Sequence, residues 1–236
     1  MSDLLGRRPF RDRAYEHSSH PRLNPYVELH REFGPQVIPG EEAPQWRGRW
    51  AELSGREAPL HVEIGSGNGF FLSGMAARHP EQDWIGIELR FKRVVLCARK
   101  LQQVGATNAR IVRYDAFNLD DLFTPASISG LYVNHPDPWA KESQAGRRLL
   151  GRPFVAWAAG VLVPGASFRL KTDHAPNVEL LLESIQGLPY EVLGQTDDIR
   201  RDGSPWGEDD VITNYQRKFY QRGLPVLGLW VRRRES

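Results

Sequence analysis

The chain has 236 residues, 40% of them hydrophobic and 25% charged, with a formal net charge of +2. Such a chain can bury a full core, and its balance is that of a globular protein rather than a fibrous or disordered one. No apolar run approaches the ~20 residues of a membrane span, and the near-neutral charge requires any nucleic-acid partner to be held by local basic patches.

The N-terminus carries Arg7, Arg8, Arg11 and Arg13 and no apolar core of an export signal, so the expected location is the cytoplasm. The single Cys97 cannot form an internal disulfide and suits a reduced compartment as a small buried thiol. The seven histidines are scattered. His17 and His20 could share a helix face, but no cysteines complete a zinc pattern, so no metal is expected.

Residues 1–58 read as an extension, rich in Arg and broken by Pro21, Pro25, Pro35, Pro39 and Pro44. Trp46 and Trp50 are spaced to share a helical face that packs the extension on the domain of residues 59–236. From Leu60 the pattern alternates. It predicts strands at 60–64, 84–88, 109–113, 128–134, 166–171 and 190–195, and a last apolar run at Val226–Val231. Helices are predicted at 70–78, 91–104, 153–161 and 176–186, with a short one near 118–123 and a turn at Pro164-Gly165. This alternation defines an α/β, doubly wound, mostly parallel sheet of seven strands with helices on both faces.

Ligands of such sheets bind outside the carboxyl ends of the strands. The first strand ends in Glu63-Ile-Gly-Ser-Gly-Asn-Gly69, and a helix follows. Glycines at 65, 67 and 69 permit a sharp turn and a close ligand approach. The dinucleotide fingerprint would need glycine at position 70, which is Phe, and Glu63 would repel a pyrophosphate; both disfavour an NAD enzyme. An acid there can instead pair with an ammonium, and Glu88, at the end of the next strand, can accept ribose hydroxyls. S-adenosylmethionine carries both groups and no phosphate. Asp115-Ala116 and the run Asn134-His-Pro-Asp-Pro-Trp139 occupy two further strand ends.

Pro136 and Pro138 bracket Asp137 in a stiff, extended loop, and Trp139 offers a flat face for a base. Lys141, Arg147, Arg148 and Arg152 follow with Glu142 as the only acid, a pattern suited to phosphates. Asp173 stands at another strand end, and Thr213-Asn-Tyr-Gln216 precedes Arg217, Lys218 and Arg222.

Together, over residues 60–223, these motifs resemble the bacterial tRNA (guanine-N7)-methyltransferases. The residues that carry the likeness are Glu63-Ile-Gly65, Gly86-Ile-Glu88, Asp115-Ala116, Pro136-Asp-Pro-Trp139 with Lys141, Thr172-Asp173 and Thr213-Asn-Tyr-Gln216. The resemblance implies a Rossmann-like class I methyltransferase domain that moves a methyl group from S-adenosylmethionine to N7 of the variable-loop guanosine at tRNA position 46, leaving S-adenosylhomocysteine. By it, Glu63, Gly65, Gly67, Asn68, Gly69, Glu88, Asp115 and Ala116 bind the cofactor. Asp137 is catalytic, and Asp137, Trp139, Lys141, Asp173, Thr213, Asn214, Tyr215 and Gln216 bind substrate. The implied partner is tRNA, with no metal and no membrane, and the chain acts as a monomer or homodimer.

The chain departs from the family pattern at His135, usually an aromatic, at Ala140, and at Gln216, usually Glu. Its basic cluster is also thinned to Glu142-Ser-Gln-Ala-Gly146 before Arg147. Two rivals remain at this level: another class I methyltransferase acting on a different RNA base or a small molecule, and a non-catalytic RNA-binding protein on the same fold.

Overall fold

The computed structural model describes residues 24–235. The arginines at 7–13 and the His17/His20 pair lie outside the described residues. In chain order the elements are α1 (Pro25–Leu29), β1 (Val37–Ile38), α2 (Ala51–Ser54), β2 (Leu60–Ile64), α3 (Phe70–Arg78), β3 (Asp83–Glu88), α4 (Phe91–Gln103), β4 (Ala109–Arg113), β5 (Ile128–Asn134), α5 (Arg152–Val161), β6 (Leu162–Thr172), α6 (Ala175–Ser184), β7 (Tyr190–Thr196), α7 (Ile199–Asp202), α8 (Asn214–Gln221) and β8 (Leu227–Arg233). The sheet has eight strands rather than seven, in the order β1-β4-β3-β2-β5-β6-β8-β7. All pairings are parallel except those of β8 with β6 and β7. The extra strand is β1, two residues of the N-terminal extension that pair with Ile111 and Val112 of β4. At two residues it is too short to show a period, which is why the pattern missed it.

The chain runs outward from β2 through β3 to β4, then returns to build β5 and β6 on the other side of β2. That reversal opens a crevice at the carboxyl ends of β2 and β5. Helices cover both faces. On one, α3 and α4 bury Phe71, Leu72, Met75, Val94, Ala98 and Leu101 against Trp84 and Tyr132. On the other, α5 and α6 bury Phe154, Val155, Val178 and Leu181 against Leu131 and Phe168. Each fully buried large apolar side chain stabilises the fold by roughly 1.5–3 kcal/mol. The buried stripe of α4 contains the helical repeat that predicts it, Val94, Val95, Ala98 and Leu101, and adds Phe91 and Cys97.

Two local expectations change. Pro164-Gly165 lies inside β6 rather than in a turn. The β5–β6 register shifts there, between Ile128 and Gly130, and Gly165 takes φ +79°, so the proline–glycine pair makes a bulge. Trp46 and Trp50 share no helix, because a 3-10 turn ends at Trp46 and Trp50 caps α2. They nevertheless pack the extension as expected. Trp50 is buried, stacks on Phe123 at 5.6 Å and donates its indole N–H to the Leu122 carbonyl at 2.9 Å.

Candidate functional site

A cavity of about 720 Å³ opens at the carboxyl ends of the central strands. Its floor is the glycine turn. Gly65, Gly67 and Gly69 all take positive φ, at 77°, 55° and 76°. The amides of Gly65 and Ser66 both donate to the Ile87 carbonyl, at 2.8 and 3.0 Å, which ties the turn to β3. A Cβ on Gly65 would meet nothing within 4 Å and would stand in the cavity. A Cβ on Gly69 would fall 2.5 Å from the Cys97 Sγ, so this glycine serves the packing of α3 on α4.

The acids predicted at strand ends arrive here. Glu88 accepts from the Gly67 amide through Oε2 at 3.1 Å and from the Arg90 amide through Oε1 at 2.8 Å. Burial nevertheless raises its pKa. Asp115 accepts from the Phe117 amide at 3.0 Å and lines the cavity with Ala116. Asn68 accepts from Arg93 at 2.7 Å. Glu63 is the most constrained. One oxygen accepts from Asn134 at 2.8 Å, while Oε2 is buried with no hydrogen-bond partner. Desolvation pushes this carboxyl up to about 7.

The Pro-Asp-Pro-Trp loop forms the adjoining wall. It continues from Asn134, so the residue that binds Glu63 also begins the loop. His135 and Trp139 bracket the loop in left-handed backbone, at φ 51° and 37°. Such conformations persist only where surrounding contacts impose them. The contacts are here: the His135 amide donates to the Lys171 carbonyl at 2.7 Å, Asn177 donates to the Pro136 carbonyl at 3.2 Å, and Arg148 donates to the Trp139 carbonyl at 3.2 Å. Asp137 is exposed within this frame, and the Arg147 guanidinium lies 5.0 Å from the Trp139 ring.

The third wall is α8. Thr213 caps it by accepting from the Gln216 amide at 2.9 Å, and Thr213, Asn214 and Tyr215 line the cavity. Gln216 does not reach it. Only 1% exposed, its side-chain carbonyl accepts from the Thr213 amide and from Lys171 Nζ, each at 3.3 Å, while Nε2 donates to the Tyr220 hydroxyl at 2.7 Å. The amide expected to meet a base is thus occupied in a capping box and a buried network around Lys171, which also donates to Asp210 at 2.7 Å.

Lys141 is exposed and stands off the cavity lining, at the start of the 3-10 turn of residues 142–147. Asp173 lies just behind the lining, 3.4 Å from Nδ1 of His135. The cavity also takes in residues the sequence argument passed over: Arg90 and Arg93 from the start of α4, and Phe70 from α3. The signal for the arginines was present. Cations in the first turn of a helix oppose its dipole, and α4 has no acid there.

A buried acid with a free acceptor atom, a second acid clamped to a glycine turn and an open cradle above Gly65 fit a ligand with an ammonium and ribose hydroxyls. They do not fit a pyrophosphate. Among the described residues, no helix is long and apolar enough to cross a membrane, and no three His, Cys, Asp or Glu side chains gather as metal ligands.

A family profile described as "Putative methyltransferase" matches residues 57–229. The 16S rRNA methyltransferase KamB superposes with a TM-score of 0.59 at 18% identity, over 79% of this chain and 93% of that one. Fold and site together define an α/β methyltransferase. The tRNA (guanine-N(7)-)-methyltransferase of Geobacillus kaustophilus (strain HTA426) is 36% identical over 187 residues, 79% of this chain and 84% of the relative. The enzyme of the same name from Bacillus subtilis (strain 168) is 33% identical over 182 residues, 77% and 84% of the two chains. The chain belongs to the tRNA (guanine-N(7)-)-methyltransferase family.

Proposed function

We propose that this protein methylates N7 of guanine in tRNA, at the variable-loop guanosine of position 46, with S-adenosylmethionine as donor. The observation that carries the reading is one juxtaposition. The acid-floored glycine turn and the Pro136–Trp139 loop share a single cavity, joined by the Asn134–Glu63 hydrogen bond.

When bound, S-adenosylmethionine supplies an electrophilic methyl group on a sulfonium centre. Glu63 would hold its ammonium, Glu88 its ribose hydroxyls, and Asp115 and Ala116 its adenine side. Guanine N7 carries a lone pair and no proton, so no residue needs to act as a base first. The protein's part is placement and charge. Asp137 accepts guanine N–H groups and faces the positive charge the base gains on methylation. Trp139 and Tyr215 provide ring faces for a base lifted from its stack, at an unstacking cost of a few kcal/mol. Arg90, Arg93, Arg147, Lys218 and Arg222 line the cavity and would hold flanking phosphates. In this reading residues 59–236 form the methyltransferase domain, residues 1–58 are an extension whose β1 joins the same sheet, and the protein works in the cytoplasm.

The test is transfer from labelled S-adenosylmethionine to an unmodified tRNA transcript, followed by digestion to nucleosides. The reading requires N7-methylguanosine. Another methylated nucleoside would hand the site to a different class I methyltransferase. Cofactor binding with no transfer to RNA would point to a changed substrate.

A further inference from the structure

His135 stands where the family pattern has an aromatic, and its surroundings are unusual. A residue with a Cβ is held at φ 51°, its side chain is 6% exposed, and it lines the cavity. Nδ1 lies 3.4 Å from Asp173 Oδ1, the ring sits 4.7 Å from that of Tyr215, and Nε2 is buried with no hydrogen-bond partner. Tyr215 in turn stacks on Phe219 at 4.8 Å and is 47% exposed to the cavity mouth.

A proton on Nε2 would have no acceptor, whereas one on Nδ1 has Asp173. The geometry therefore selects the neutral tautomer with Nδ1–H donated to the carboxylate. We propose that His135 is a positioning residue for the substrate base: it fixes the Asp173 carboxylate and the Tyr215 ring against the Pro-Asp-Pro-Trp loop, and does so while uncharged.

This rests on the methyl-transfer reading above. The charged and titratable groups facing the imidazole are Asp173 and Lys171 at the end of β6, Asp210 in the segment before α8, and Tyr215 on α8. Burial lowers the His135 pKa, against the pull of Asp173. A second proton would put an unsatisfied N–H and a positive charge beside a base that is itself becoming positive. Turnover should therefore fall as pH drops through the folded-state pKa of His135, about tenfold per pH unit below it.

The test is the pH profile of kcat for wild type and His135→Phe, which keeps a ring and removes both nitrogens. The proposal requires kcat to fall about tenfold near neutrality, the size of one lost hydrogen bond. KM for S-adenosylmethionine should stay within twofold, and the acid limb assigned to His135 should disappear. A kcat within twofold of wild type with the acid limb intact overturns it, as does an equal loss at every pH. Long-range nitrogen–proton NMR of the wild-type chain reads the pair without catalysis. Nδ1 must carry the proton, and Asp173→Asn must move the His135 titration to lower pH. An Nε2–H tautomer overturns the proposal even if His135→Phe fails to fold. If the wild type transfers no methyl group to tRNA, the functional reading falls, while the NMR result still decides whether His135 and Asp173 are coupled.

Discussion

Glu63 sets function against stability, and Glu63→Gln makes the conflict measurable. The wild-type carboxyl is buried, titrates near 7 in the folded chain and has a reference value of 4.5. Its folded pKa is raised, so the folded state binds more protons than the unfolded state between those values. The contribution of Glu63 to stability therefore falls as pH rises from 4.5 to about 7 and stays reduced above it. The rise from 4.5 to about 7 corresponds to about 3 kcal/mol. The amide of the Glu63→Gln variant would keep the volume and the Asn134 contact but never ionise.

At pH 8 the variant should be more stable than wild type by about 3 kcal/mol, which for a chain this size is roughly 6–12 °C in Tm. At pH 5 the gain should shrink below about 1 kcal/mol, because wild-type Glu63 is then protonated in the fold. Urea unfolding at the two pH values reads the difference directly. Affinity for S-adenosylmethionine should move the other way, weakening in the variant at pH 8 by about tenfold or more. An equal stability change at both pH values, or a less stable variant at pH 8, would refute the desolvation argument.

Asp137→Asn should lower kcat about 10²-fold, the usual effect of one electrostatic group, with the Kd for S-adenosylmethionine unchanged by calorimetry. Lys171→Met leaves the Asp210 carboxylate without its 2.7 Å partner and should cost about 3–5 kcal/mol in urea unfolding; adding Asp210→Asn should restore part of it. Gly69→Ala forces a Cβ to 2.5 Å from Cys97 Sγ at φ 76° and should lower Tm by several degrees, whereas Gly65→Ala should spare Tm more and impair cofactor binding. Arg93→Gln should weaken tRNA association and reduce the slope of log K against log salt by about 1, as loss of one phosphate contact predicts.

The parts of the fold that were legible in the sequence are those where one physical signal acts over several residues. β2, β4 and β5 are short runs in which apolar residues outnumber polar ones, and α4 repeats its buried residues at helical spacing, so their limits emerge almost to the residue. What escaped depends on partners distant in sequence. β1 exists because β4 offers an open edge. The run at Pro164-Gly165 looks like a turn locally, and only the pairing of β5 with Leu162 before it and Ser167 after it carries the strand through.

The site divides in the same way. The glycine turn, Glu63, Glu88, Asp115 and the Pro-Asp-Pro-Trp loop were readable because a strand end fixes where such residues must go. Gln216 was not. Thr213 and Gln216 spell a capping box, and that local chemistry, with Lys171 contributed by β6, draws the side chain inward. His135 stood in the sequence as a departure from the family pattern; its contacts with Asp173 and Tyr215 come from two other elements.

The most direct test of the central claim is the methylation site itself. Two tRNA transcripts, one with guanosine and one with adenosine at variable-loop position 46, would be incubated with the protein and S-adenosylmethionine, then cleaved chemically at N7-methylguanosine and sequenced. The account predicts one cleavage, at that position, in the first transcript and none in the second. Equal methylation of both transcripts, or a methyl group on any atom other than N7, would contradict it.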